Sequence, residues 1–258
     1  MRIPKTRTGV LIAGVGAAAV AAFIISCATV ERVVVAPPMI PGAKYVGMDE
    51  CSACHEKIVT SFKRTQHAKL QIDGEKVKGQ GCESCHGPGS LHVEAGGGKG
   101  KFIVNPGRKP EACMQCHLDK KVQFGLKSHH PVLEGKIACT DCHSSHGEDV
   151  KKPSGLLATR RVNDICAQCH RDQARPKVYE HMALREGCTT CHNAHGSINE
   201  KMLTERNANL CLKCHSFSRP GSGEIWIGEG HNTDAYQGAC WSCHNMIHGS
   251  NIDSAFRY

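Results

Sequence analysis

Sixteen cysteines of this chain fall into eight copies of a single spacing, Cys-x-x-Cys-His. The copies are Cys51, Cys54 and His55; Cys82, Cys85 and His86; Cys113, Cys116 and His117; and Cys139, Cys142 and His143. They continue with Cys166, Cys169 and His170; Cys188, Cys191 and His192; Cys211, Cys214 and His215; and Cys240, Cys243 and His244. Two thiols at this spacing add across the two vinyl groups of a haem, and a His directly after the second thiol is placed to coordinate its iron. One copy alone could equally be a zinc half-site or a redox dithiol. Eight copies, all with the adjacent His and none in a zinc-ribbon spacing, fit neither. The expected cofactors are therefore eight haem c, with the motif histidines as proximal iron ligands.

Nine further histidines remain: His67, His92, His129, His130, His146, His181, His195, His231 and His248. Set against the motifs they describe a repeat of four units, each running motif, mid-unit His, motif, trailing His. The units cover about 51–92, 113–146, 166–195 and 211–248. The lead-in from His130 to Glu134-Gly135 before Cys139 parallels the one from His181 to Glu186-Gly187 before Cys188. Likewise Cys-His-Ser-Ser-His146-Gly parallels Cys-His-Asn-Ala-His195-Gly, with Cys-His-Asn-Met-Ile-His248-Gly a close variant. This register makes His67, His92, His130, His146, His181, His195, His231 and His248 the candidate distal ligands. His129 is left over; it is the alternative to His130, which the repeat match favours. His146 follows His143 by three residues and cannot reach the far face of the same haem, so the trailing histidines must serve a neighbouring one. The mid-unit histidines have longer connections and could serve either haem of a unit, so which pairs with which is not readable from the sequence.

The elements that hold these residues must be slight. Beyond residue 26 the chain has 232 residues, or 29 per motif, and only twelve of its residues are Phe, Trp or Tyr. That is too sparse to wrap each haem in its own pocket, so the haems themselves must form the apolar core. The expected fold is a multihaem cytochrome c: mostly irregular, with short helices, little or no sheet and an extended, wire-like haem array. Segments from Pro110, Asn163 and Ala208 into the following motifs can form a helical turn, with Asn163 or Asn209 near a cap. Gly87-Pro88-Gly89, Gly96-Gly97-Gly98 and Asn105-Pro106-Gly107 punctuate the rest.

Residues 1–26 carry Arg2, Lys5 and Arg7 and then an uncharged apolar run from Gly9 to Ser26, the layout of a secretory signal. The run ends Ile24-Ile25-Ser26-Cys27, which resembles the lipobox of bacterial lipoproteins and makes Cys27 a lipidation candidate. The alternative is an uncleaved membrane anchor. Residues 27–46, with Pro37-Pro38 and Pro41-Gly42, read as a lipidated cysteine and tether, and 47–258 as the octahaem domain. The stated net charge of +8 is misleading. Without the three basic leader residues it is +5, and eight haems bring about sixteen propionate charges. With no arginine cluster or aromatic platform, nucleic acid is not an expected partner.

The haem-binding portion, residues 47–251, resembles the periplasmic multihaem cytochromes of porin–cytochrome conduits, the Mtr metal-reducing type and the related DMSO-respiration systems. The residues that carry the resemblance are Cys85-His-Gly-Pro-Gly-Ser-Leu-His92, the two Glu-Gly lead-ins, the Cys-His-x-x-His-Gly pairs and Asn245-Met-Ile-His-Gly-Ser-Asn251. The resemblance implies bis-His haems in van der Waals file and electron transfer to an extracellular acceptor. It also implies an outer-membrane β-barrel porin and other cytochromes as partners, at the periplasmic side of the outer membrane. Members of that group usually bind ten haems, whereas eight motifs are present here. A catalytic role is not expected: there is no Cys-x-x-Cys-Lys motif, and the histidines suffice to close every iron. The alternatives are a membrane-anchored periplasmic carrier feeding a terminal reductase, a multihaem reductase, and a filament subunit in which a spare His such as His129 serves the next molecule.

Overall fold

The computed structural model describes residues 33–34, 37–72, 81–147, 156–218, 225–227, 231 and 238–257. Cys27 and the whole leader lie outside the described residues. Helices are short and follow the motif repeat. The first motif of each unit is associated with an α-helix: α1 (Met48–Phe62) contains Cys51 to His55, α4 (Glu111–Met114) opens the third motif, α6 (Leu156–Ala167) runs into the fifth, and α8 (Ala208–Leu212) into the seventh. The second motifs are tighter. Cys82–His86 is the five-residue helix α2, and Cys139–Asp141, Cys188–Thr190 and Cys240–Ser242 are 3-10 turns. Thr140, Thr189 and Thr190 in these turns are β-branched and resist longer helix, which keeps them to one turn. The remaining helices are α3 (Ser90–Glu94), α5 (Leu118–Phe124) and α7 (Arg171–Ala174).

Sheet is confined to two-residue pairings among the described residues. Val33–Val34 lies parallel to Gln71–Ile72, Ser128–His129 antiparallel to Gly196–Ser197, and Phe217–Ser218 antiparallel to Ile225–Trp226. The second pairing straps unit two to unit three. An isolated bridge between Tyr179 and Ser250, with both amides bonded at 2.8 and 2.9 Å, straps unit three to unit four. The protein side chains make little core of their own. One small cluster, Met114, Phe124 and Val132 with Ile137 and Cys139 against it, sits in unit two.

Two sequence expectations are corrected here. Asn163 does not cap a helix, because α6 begins seven residues earlier at Leu156. Its side chain instead bridges to the next motif, Nδ2 donating to the Leu184 carbonyl at 3.0 Å and Oδ1 accepting from the Cys188 amide at 2.9 Å. The residue before α8 is Asn207, not Asn209, and it makes no side-chain cap. The tether is also shorter than expected. Residues 37–46 lie on the first unit: Lys44 N donates to Ser90 Oγ at 2.9 Å, Ser90 N to the Lys44 carbonyl at 3.1 Å, and Val46 N to Glu83 at 3.1 Å. Backbone amides that find acceptors on a folded surface have no reason to stand off it as free chain.

Candidate haem-binding sites

Each motif closes one helical turn, and the turn does the local work. The His amide bonds back to the carbonyl of the first Cys, at 3.0 Å for His117, 2.8 Å for His143, 2.9 Å for His170, 3.0 Å for His192, and 2.9 Å for both His215 and His244. Residues three apart in such a turn share a face, so both thiols stand side by side with the imidazole beyond them. None of the sixteen motif cysteines is in a disulfide.

The sulfurs then meet one another in a regular alternation. Within each unit the first cysteines of the two motifs touch: Cys51 with Cys82, Cys113 with Cys139, Cys166 with Cys188, and Cys211 with Cys240. The Cys51–Cys82 and Cys166–Cys188 hydrogen bonds pull the Cys82 and Cys188 thiols down to about 7 and push Cys51 and Cys166 up. Burial, and then the neighbouring sulfur, pushes Cys113 and Cys211 up to about 12. Between units the second cysteines approach instead. Burial first and Cys116 next raise Cys85, burial, Asp141 and then Cys169 raise Cys142, and burial followed by Cys214 raises Cys191. Motifs that follow one another along the chain therefore have neighbouring cysteines.

The imidazoles are paired across space. His67 faces His117 with ring centroids 6.2 Å apart, His86 faces His146 at 5.9 Å, His130 faces His170 at 6.0 Å, and His143 faces His195 at 6.1 Å. His181 faces His215 at 6.0 Å, His192 faces His248 at 6.1 Å, and His231 faces His244 at 6.0 Å. Two metal–nitrogen bonds of about 2 Å, plus the half-widths of two rings, fill such a gap. Several rings are oriented by their other nitrogen. Nδ1 donates to the Val104 carbonyl from His86 at 2.8 Å, to Lys101 from His92 at 2.9 Å, and to Ala194 from His130 at 2.7 Å. It donates to Lys201 from His192 at 2.8 Å and to Ala255 from His244 at 2.6 Å. A proton held on Nδ1 leaves Nε2 as the bare donor atom. Burial, ahead of the neighbouring imidazole, shifts His146, His181 and His248 toward the neutral form that a metal ligand requires. Cysteine pairs for two thioethers and an imidazole gap for one iron thus coincide at motif after motif, and the residues fit haem c.

Comparison with known proteins agrees. Residues 129–175 and 181–219 match the doubled CXXCH motif family. The chain is 29% identical to the multiheme cytochrome MtrA of Shewanella baltica, over 81% of this chain and 80% of that protein. The chain is a multihaem c-type cytochrome, similar to those of the Mtr type. The cytochrome is also 31% identical to the cytochrome c-type protein NrfB of Escherichia coli over 48% of its length, an alignment that spans 65% of NrfB. It is 24% identical to the polyheme cytochrome OmcC of Geobacter sulfurreducens over 83% of its length, which is 28% of that larger protein.

Which histidine meets which is left open by the sequence and is set by the fold. His67, His130 and His181, the mid-unit histidines of the first three units, do not face a motif of their own unit. Each faces the first motif His of the next unit: His117, His170 and His215. Loop length permits either choice, and cross-unit straps decide it. The Ser128–His129 pairing with Gly196–Ser197 carries His130 onto unit three, and the Tyr179–Ser250 bridge carries His181 onto unit four. Only His231 faces a motif of its own unit, at His244. The trailing histidines run the opposite way, His146, His195 and His248 each facing the second motif His of the preceding unit. His55 and His92 are the two ligand candidates outside these seven pairs. In the cytochrome His129 has both ring nitrogens engaged, Nδ1 with the Leu126 carbonyl and Nε2 with Glu134 at 3.0 Å.

Three supporting residues escape a motif reading. Asn163 holds the Cys188 turn, Gln123 Oε1 lies 3.1 Å from His195 Nδ1, and Arg108 forms a two-pronged pair with Asp141 at 2.8 Å on each prong. Asp141, inside the fourth motif, also accepts the Ala138 amide at 2.9 Å. An acidic residue between motif cysteines was the one signal available for it. Among the described residues no helix is long and apolar enough to cross a membrane.

Proposed function

We propose that this cytochrome binds eight haem c and conducts electrons along them, as the periplasm-side wire of an outer-membrane electron-transfer conduit. The seven imidazole pairs 5.9–6.2 Å apart carry this reading. Each motif's two cysteines would hold one haem by thioethers, and the imidazole pairs that would ligate the irons are His67/His117, His86/His146, His130/His170, His143/His195, His181/His215, His192/His248 and His231/His244. His55 and His92 make the eighth pair by elimination. When bound, haem supplies an iron that takes up or gives up a single electron. The polypeptide would supply two imidazoles to each iron, five of them (His86, His92, His130, His192 and His244) oriented by a backbone carbonyl on Nδ1, and so would leave no open coordination position for a substrate. That closure argues for conduction over catalysis. Bis-imidazole ligation, without a thioether to favour the reduced state, sets low potentials, and the imidazole pairs that join one unit to the next keep successive motifs together.

The lipobox-like end of the leader supports a lipid on Cys27 and a body tethered to a membrane outside the cytoplasm, and similarity to MtrA favours the periplasmic side of the outer membrane. Similarity to MtrA across four-fifths of both chains supports a β-barrel porin and further cytochromes as partners. Mass spectrometry of the membrane-purified protein should find eight covalent haems and a diacylated Cys27, and the oxidised spectrum should be wholly low-spin. Proteoliposomes holding the cytochrome with its cognate barrel should reduce an enclosed acceptor from an external donor, whereas the cytochrome alone on one leaflet should not. Equal conduction without any barrel would replace the conduit with an anchored periplasmic carrier. A substantial high-spin fraction would restore the reductase.

A further inference from the structure

Glu83 stands between the two cysteines of the second motif and is 1% exposed. Its carboxylate accepts three backbone amides: Val46 N at 3.1 Å and Gly89 N at 2.8 Å on Oε1, and Gly47 N at 2.9 Å on Oε2. Gly47 is the residue before α1, which bears Cys51 and His55, and Gly89 precedes α3, which bears His92. One buried side chain therefore ties together the segments that carry every haem-binding residue of the first unit except His67. The position demands a carboxylate. Glutamine offers one acceptor oxygen and sets an NH2 group against the remaining amide.

A second motif carboxylate shows what is unusual here. Asp141 sits in the fourth motif, but its side chain is 38% exposed and Arg108 pairs with it. Solvent and a cation cancel that charge. Among the described residues no Lys or Arg pairs with Glu83. Backbone amides stabilise a carboxylate as dipoles and leave its net charge in place. Glu83 adjoins Cys82 in the chain, and Gly47, whose amide it accepts, in turn accepts the Cys51 thiol on its carbonyl at 3.5 Å, so the charge stands beside the attachment sulfurs of both motifs in the unit. In a buried, weakly screened setting the field of such a charge extends over several ångströms.

We propose that Glu83 is a positioning residue whose fixed negative charge lowers the reduction potentials of the two haems of the first unit. Oxidised haem carries one more positive charge than reduced haem, so a nearby anion stabilises the oxidised form. The first unit is thereby set as the low-potential end of the file. The inference rests on the eight-haem reading.

The test is a potentiometric titration of the full-length, detergent-solubilised holoprotein, followed by visible and EPR spectra, for the parent, Glu83→Gln and Asp141→Asn. A parent with fewer than eight low-spin haems fails the eight-haem reading itself, before any variant is compared. With eight present, Glu83→Gln should move two of the eight midpoints positive and leave six in place, while Asp141→Asn moves none as far. Simple loosening of the first unit would admit water, which stabilises the oxidised haem and moves midpoints negative. Unmoved or negative midpoints in Glu83→Gln therefore overturn the proposal. Should that variant load fewer haems, Glu83→Asp, which keeps the charge, decides. Midpoints with no positive shift then support the fixed charge, and a positive shift with the charge retained overturns it.

Discussion

The interior of this cytochrome and its two ends are built on different rules. At each interior joint two units exchange histidines: His67 reaches forward to His117 while His146 reaches back to His86, and the same exchange joins units two and three and units three and four. In the fourth unit His231 instead faces His244 of its own unit. The corresponding N-terminal residues are His55 and His92. On the proposed ligation, reciprocal exchange would make each interior imidazole both an iron ligand and a fastener between units, and an end imidazole a ligand alone. Metal coordination that bridges two segments couples their folding, so the interior should behave as one cooperative body and the ends should fray first.

The largest expected effect comes from breaking an interior exchange. His146→Ala or His195→Ala should open one iron, seen as a high-spin component of about one haem in eight. Each should also cost on the order of 2–4 kcal/mol by loosening a joint. His231→Ala should give the same high-spin component with a distinctly smaller drop in Tm. Equal losses of Tm at interior and end would remove the distinction.

Next come the glycines that follow the trailing histidines, because they let one unit's backbone approach another's. A Cβ on Gly196 would stand 2.1 Å from the Gln123 carbonyl oxygen. Gly196→Ala should cost about 1–3 kcal/mol by forcing units two and three apart. At Gly249 the closest atoms are Lys177 Cγ at 2.7 Å and, at 2.9 Å, Lys177 Cβ and the Tyr179 carbonyl oxygen, none as near as the 2.1 Å contact at Gly196. Gly249→Ala should therefore fall at the lower end of that range in thermal melts followed by haem absorbance.

A surface pair should matter less. Arg108→Ala should cost below about 1 kcal/mol, because the pair with Asp141 is exposed. The Ala138 amide and then Arg108 hold the Asp141 carboxyl below the ordinary aspartate value. Its small stabilisation is thus present above about pH 4 and lost as pH falls through the depressed folded value. Melts of the parent and Asp141→Asn should converge in acid and separate near neutrality. The smallest effect belongs to His129→Ala, which should leave all irons low-spin, while His130→Ala opens one. The opposite result would move the ligand by a single residue.

Much of the scaffold was legible because it is local. A Cys-x-x-Cys-His turn is closed by the hydrogen bond from the His amide to the first Cys carbonyl, so its geometry travels with five residues wherever they occur. The rule that His146 cannot serve the haem of His143 rests on three residues of chain, and His146 indeed faces His86. The short, irregular secondary structure followed from too few aromatic residues spread over too many motifs. Asn163 shows where local reading stops: near a motif it looks like a cap, yet its partners are 21 and 25 residues away.

By itself the sequence determined the cofactor chemistry, the four-unit repeat and the set of histidines able to serve, since each is a matter of residue type and short spacing. Only the tertiary structure decided which histidine meets which. The connections around His67, His130 and His181 are long enough for several partners, and chain length discriminates weakly among loop closures. The choice falls to straps between units, the two-residue pairing of 128–129 with 196–197 and the Tyr179–Ser250 bridge, whose partners lie about 70 residues apart. Glu83 followed the same division. Its place between two cysteines is plain in the sequence, but only the folded chain brings Val46, Gly47 and Gly89 around it and shuts out the solvent that would otherwise screen its charge.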